Sequence, residues 1–187
     1  MKRRTFLLLG AKAAVGLALA QAAPAWALSR LTGQSSESRT ESRTLSFYHT
    51  HTHECLTITY ANAKGYDPTA LQRINTYLRD FRTSEVHPID PTLLDILWAV
   101  QQEMGCTDPY EIVSGYRSPE TNQKLRSRSK GVAKRSLHMK GMAVDVRLSG
   151  QNTRLVRDCA VSFQSGGVGY YADSDFVHID TGQVRIW

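Results

Sequence analysis

Two hydrophobic rhythms alternate along the chain. From Leu45 to Tyr60, β-forming residues flank a His-Thr-His-Thr-His-Glu centre, a pattern that predicts a hairpin. Asp67-Pro68 then supplies an N-cap followed by a first-turn proline, and Leu71, Ile74, Leu78 and Phe81 recur at helical spacing. Asp90-Pro91 repeats the device, with Leu93, Leu97, Val100 and Met104 on one face and Gly105 as the stop. A short β-like run, Glu111 to Val113, leads into Ser114-Gly115-Tyr116-Arg117, and Ser118-Pro119-Glu120 opens a short helix. A basic loop from Arg126 to Arg135 follows, then Met142 to Val146 alternates as a strand does. Leu155, Cys159 and Phe163 mark a third long helix, stopped by Gly166-Gly167, and two last strands are expected near Val168 to Tyr171 and Phe176 to Asp180. Helices first and strands clustered later predict an α+β fold: one compact domain, residues 45–187, with a mainly antiparallel sheet and flanking helices.

The first 44 residues follow neither rhythm. Lys2-Arg3-Arg4, an apolar run from Phe6 to Ala20 and then Ala25-Trp26-Ala27 have the three-part form of a secretory signal, residues 1–27, with an A-x-A cleavage site. Paired arginines before Thr5-Phe6-Leu7 fit a twin-arginine signal, so export to the periplasm is expected. The run is too short and too rich in Ala and Gly for a membrane span, and no stable span is expected after cleavage. Residues 28–44, polar and locally repetitive, are expected to form a flexible linker.

Charge changes the picture once the leader is set aside. The 187 residues carry a formal +6, which alone would suggest nucleic acid, but residues 1–27 hold four basic residues and no acid. Beyond them 19 basic residues face 17 acidic ones, so no nucleic-acid partner is expected. The composition, 41% hydrophobic and 21% charged, excludes collagen-like and wholly disordered chains. Cys55, Cys106 and Cys159 are odd in number and widely spaced, which excludes a disulfide framework and predicts buried free thiols.

The strongest chemistry lies in Ser136-Leu137-His138-Met139-Lys140-Gly141-Met142-Ala143-Val144-Asp145, with Phe176-Val177-His178-Ile179-Asp180 after it. A catalytic zinc takes three protein ligands and leaves one position open. His138 before a strand and Asp145 on it converge if Gly141 lets the backbone turn sharply. His178 on a neighbouring strand then supplies the third ligand.

These strings, together with SGYRS at Ser114 to Ser118, RSRSKGVAKRS at Arg126 to Ser136 and the ending GGVGYY to DFVHIDTG, resemble the MepK (YcbK-like) murein endopeptidases, a group of D-alanyl-D-alanine-type zinc metallopeptidases. The resemblance covers nearly all of residues 45–187. It implies the hedgehog and D-Ala-D-Ala-peptidase type of α+β domain, and one zinc per chain bound by His138, Asp145 and His178. It also implies hydrolysis of peptidoglycan peptide cross-links, involving diaminopimelate, through a metal-activated water. A monomer is expected. Under this resemblance Arg117, just beyond a strand end, is a candidate to hold the carbonyl oxygen as it gains charge or to clamp a substrate carboxylate. Related peptidases often place an acid three residues before the last histidine ligand, which makes Asp175 a candidate general base. Asp180, two residues after His178 and on the same strand face, is either that base or a group orienting a ligand.

Other residues have plainer readings. His49, His51 and His53 alternate and would share a strand face, an arrangement open to a second metal site, but exposed hairpin residues are the expectation; where the family reads His-Thr-Gly-Glu, this chain has His51-Thr52-His53-Glu54, placing His53 in a turn. Arg126, Arg128, Lys130, Lys134 and Arg135 form a solvated loop that, beside a zinc cleft, would attract carboxylate-bearing wall peptides. Tyr170 and Tyr171 read as one core and one groove residue. Two further functions compete with the endopeptidase: a zinc-containing wall-binding module without turnover, and a D-Ala carboxypeptidase.

Overall fold

A computed structural model describes residues 42–129 and 131–187. The expected signal, and the expected linker up to residue 41, lie outside the described residues, as does Lys130.

The hairpin forms as its alternation predicts. Strands β1 (Arg43–His49) and β2 (Cys55–Asn62) pair antiparallel, with Leu45, Phe47, Ile58 and Tyr60 buried. Strand β1 starts at Arg43, two residues before Leu45, and there the Arg43 guanidinium meets Asp95 at 2.5 Å. Asp95 also accepts from the hydroxyls of Tyr60 (2.9 Å) and of Tyr66 (2.5 Å), the latter on edge strand β3 (Gly65–Tyr66). One carboxylate thus ties three strands to the helix that carries it.

That helix is α2 (Pro91–Glu103), preceded by α1 (Pro68–Tyr77); Asp67 and Asp90 cap the two as their sequence signals require. Leu93, Leu94, Leu97 and Val100 are fully buried on α2. Helix α1 ends before Phe81, although its apolar spacing continues. Tertiary anchors override the period there: the Asp80 carboxylate accepts from the backbone N–H of Ser118 (2.8 Å) and Arg82 (3.0 Å), and Phe81 stacks on His51. Helix α3 (Pro119–Arg128) is capped by Ser118 and takes in Arg126 and Arg128, so these belong to its last turn rather than to the loop. On α4 (Thr153–Ser162) the buried row is Val156 and Ala160, while Leu155 is 58% exposed. Both rows have the same spacing, and only packing chooses between them.

Five further strands follow: β4 (Tyr110–Ser114), β5 (Ala143–Leu148), β6 (Gly167–Tyr171), β7 (Phe176–Asp180) and β8 (Arg185–Ile186). The single sheet has the order β3-β2-β1-β4-β5-β7-β6-β8. Five of its seven neighbouring pairs are antiparallel, but β1 with β4 and β6 with β8 are parallel, so the sheet is mixed. The β1 to β4 connection runs through β2, β3, α1 and α2, the long crossover that a parallel pair needs. Val144, Val146 and Leu148 of β5 and Val177 and Ile179 of β7 join α2 and α4 in one hydrophobic core. The cysteines are free, as expected, but none is buried: Cys55 is exposed and Cys106 and Cys159 are half-buried. Among the described residues no helix is long and apolar enough to cross a membrane.

Candidate metal centre

Strand alternation sends neighbouring residues to opposite faces. With Val144, Val146, Val177 and Ile179 committed to the core, Asp145, His178 and Asp180 must lie on the other face, and the register sets Asp145 directly opposite His178. His138 arrives from a 3₁₀ turn, Leu137–Lys140, that leads into β5. The turn closes on Gly141 at φ +66°, where a Cβ would stand 2.0 Å from the Pro88 carbonyl oxygen. Glycine is needed on both counts. Its own carbonyl accepts from Asp90 N–H at 2.9 Å, which fixes the turn to the N-terminus of α2.

The three side chains converge. His138 Nε2 lies 3.2 Å from Asp145 Oδ1 and 3.1 Å from His178 Nδ1, and His178 Nδ1 lies 2.8 Å from Asp145 Oδ1. All three residues are buried. Zinc bonds of about 2.0–2.1 Å give a tetrahedron with edges of about 3.3 Å, close to this spacing. The other ring nitrogens are occupied in the way metal-binding imidazoles require. His138 Nδ1 donates to the Gly115 carbonyl at 2.8 Å and His178 Nε2 donates to Asp180 Oδ2 at 2.9 Å, which leaves each inward nitrogen with its lone pair free. Asp145 keeps Oδ1 for the cluster while Oδ2 accepts from Arg117, whose Nε donates to Ser114 Oγ at 2.8 Å. Donor type, spacing and outer partners therefore all fit a divalent metal such as zinc.

Burial and neighbouring charges set the ionisation of the cluster. Burial keeps the His138 imidazole below its usual pKa and so neutral. For Asp145, burial opposes ionisation, but His138, His178 and Arg117 outweigh it and hold the carboxyl well below the usual range. Burial likewise opposes charge on Asp180, yet His178, Arg185 and the Gly182 N–H keep it ionised. His178 is also desolvated, and its two carboxylate neighbours, Asp145 and Asp180, reverse that effect and raise its pKa.

The cluster forms the floor of a groove of about 490 Å³, within the range of ligand sites. Arg117, Arg135, Arg185, Tyr171, Phe176 and Trp187 share its lining. Tyr170 packs against the core instead, so the two tyrosines divide as their sequence suggested. The Trp187 ring lies 5.3 Å from that of His178 and presses on Gly169, where a Cβ would come within 2.5 Å of it. Arg185, 4.8 Å from the Trp187 ring, binds both oxygens of Asp180. Neither Arg185 nor Trp187 carries a sequence signal, because both reach the site only through the parallel pairing of β8 with β6.

The two flanking acids separate. Asp180 is fully buried against His178, Arg185 and the N–H groups of Gly167 and Gly182. Asp175 is not brought to the cluster. It sits left-handed at φ +49°, its Oδ1 accepts from Thr153 Oγ1 at 2.5 Å, and Arg147 lies 3.7 Å away. Neither acid lines the groove, where Asp145 is the one carboxylate among the described residues. Of the hairpin histidines, His49 and His51 lie together, their rings 6.0 Å apart and both against Phe81, and His53 does not join them. Strand β1 ends at His49, which is buried rather than exposed; His51 stacks on Phe81, and His53, at φ +60°, lies in the turn and bonds Tyr48.

A buried three-donor set with one side open to a groove is the layout of a catalytic rather than a structural metal site. The class follows from relatives. The chain belongs to the MepK family of M15 peptidases: the family model described as peptidoglycan L,D-endopeptidase MepK matches residues 37–187. The peptidoglycan L,D-endopeptidase MepK of Escherichia coli K12 is 43% identical over 145 residues, covering 78% of this chain and 80% of that protein. The probable peptidoglycan L,D-endopeptidase MepK of Haemophilus influenzae is 42% identical over 146 residues, covering 78% of each. The crystal structure of the Serratia marcescens L-Ala D-Glu endopeptidase ChiX aligns with a TM-score of 0.34 and 17% identity, over 51% of this chain and 69% of that one.

Proposed function

We propose that the protein is an exported, zinc-dependent peptidoglycan endopeptidase that hydrolyses an L,D peptide bond in cross-links containing diaminopimelate. One observation carries the reading: His138 Nε2, Asp145 Oδ1 and His178 Nδ1 lie within 3.2 Å of one another at the floor of an open groove, with each imidazole's outer nitrogen already bonded. Family membership supplies the substrate class.

His138, Asp145 and His178 would hold zinc, which would supply Lewis-acid chemistry, acidifying water and polarising a carbonyl. The remaining chemistry belongs to the chain. Gly115 O and Asp180 select the tautomers of His138 and His178 and hold both rings on target. Arg117 orients Asp145, and a guanidinium has five N–H donors, so it retains others for the scissile carbonyl oxygen as that oxygen becomes negative. Asp180 acts by orienting a ligand. The base role considered for Asp175 has no support in its geometry, since Thr153 and Arg147 hold its carboxylate outside the groove lining. Residues 1–27 direct export to the periplasm, the stretch from residue 28 to the start of β1 at Arg43 acts as a tether, and one zinc serves each monomer.

Digestion of defined cross-linked muropeptides tests the whole reading. Chelation should stop cleavage and zinc should restore it, with two uncross-linked fragments as products. Loss of only a terminal D-Ala would identify a carboxypeptidase, and binding without products a wall-binding module.

A further inference from the structure

Three guanidinium groups face the groove, and two of them are engaged inside the protein. Arg117 donates to Asp145 and Ser114, and Arg185 binds both oxygens of Asp180. Arg135 is exposed and lines the same groove, with no hydrogen-bond or ion-pair partner among the described residues. Among the described residues the one carboxylate side chain in the lining, that of Asp145, is already shared between Arg117 and the two histidines. Among the described residues the groove therefore presents a positive charge with no internal counter-ion, and a divalent metal at the cluster would add to it.

The backbone that carries that charge is anchored on both sides. Asn122 Nδ2 donates to the Ala133 carbonyl at 3.2 Å, tying the loop to α3 two residues before Arg135. Three residues after Arg135, the His138 carbonyl accepts from Arg117 N–H at 3.2 Å. Arg135 is held between these anchors, on the segment that delivers a metal ligand. A guanidinium is a planar fork of N–H donors, matched to a carboxylate.

We propose that Arg135 binds a free carboxylate of the cross-linked stem peptide and so determines which wall peptides the groove accepts. This inference rests on the endopeptidase reading for the identity of the peptide. The carboxylate has more than one source in such a substrate, on diaminopimelate or at a chain terminus, and the recognition chemistry is the same for either.

The test uses one cross-linked muropeptide prepared with all carboxylates free, and versions in which each carboxylate in turn is capped as its amide. Wild-type protein, Arg135→Gln and Arg135→Lys are compared for kcat/KM and, by tryptophan fluorescence, for Kd. One cap should weaken wild-type binding and kcat/KM by roughly 10- to 100-fold, carried by KM, as for a charge-assisted hydrogen bond. That cap identifies the source. Arg135→Gln should handle the capped and free peptides alike, and Arg135→Lys should retain part of the preference. A preference that survives Arg135→Gln, or its absence in the wild type, overturns the proposal. If no muropeptide is cleaved at all, the endopeptidase reading fails; Kd still decides the role of Arg135 by the same comparison.

Discussion

Two histidine groups teach opposite lessons. His49, His51 and His53 are crowded into five residues at strand spacing, yet among the described residues they form no ligand cluster: His49 is buried, His51 stacks on Phe81 beside it, and His53 lies in a turn bonded to Tyr48. His138, Asp145 and His178 come from a 3₁₀ turn and two strands, yet their donor atoms lie within 3.2 Å. Density of ligand residues in sequence is therefore a poor guide to a metal centre. Convergence from separate elements, with each ring fixed by an outer partner, is the better one.

The sharpest way to break this comparison is to remove ligands from each group. His138→Ala and His178→Ala should abolish zinc retention and turnover, while His51→Ala and His53→Ala should keep full zinc content by elemental analysis. Equal zinc in all four would dissolve the distinction. Gly141→Ala should come next, lowering stability by at least about 2 kcal/mol in thermal or denaturant melts, since a Cβ there meets the Pro88 carbonyl in a left-handed backbone.

Outer partners sharpen the contrast at the next level down. Asp180→Asn should weaken zinc affinity roughly 10- to 100-fold in chelator competition, and Arg117→Ala should do so too while turnover at saturating zinc falls by about 10²-fold. Undiminished turnover in Arg117→Ala would confine that residue to holding Asp145.

The core histidine offers a smaller, pH-dependent effect. Burial among Tyr77 and Phe81, reinforced by His51, lowers the His49 pKa from 6.5 to about 4. The unfolded chain then binds the proton more readily, so stability should fall as pH drops from about 6.5 toward 4 and level off below that. His49→Phe should remove this part of the pH dependence of Tm. The smallest change is expected at Asp175→Asn, which should leave turnover nearly intact in the muropeptide assay. A large loss there would return the base role to Asp175.

Much of this was legible before any coordinates. Capping pairs such as Asp67-Pro68 act through neighbours in sequence, and the alternation of Val144-Asp145-Val146 and Val177-His178-Ile179 already assigns faces. The proposed ligand set, too, follows from such local strings and a family resemblance. Other features have no local cause. The end of α1 before Phe81 depends on an aspartate bonded to a residue 38 positions away, and the buried row of α4 depends on which of two equivalent stripes meets the core. The parallel pairs β1–β4 and β6–β8 are chosen by long-range packing, and the second of these brings Arg185 and Trp187 to the cluster of His138, Asp145 and His178. A spacing shared with related peptidases made Asp175 a candidate base; only the Thr153 and Arg147 contacts, made across the fold, showed where its carboxylate points. Short-range sterics and hydrogen bonding write themselves into sequence, whereas the choice among equivalent local solutions belongs to contacts that exist only once the chain is folded.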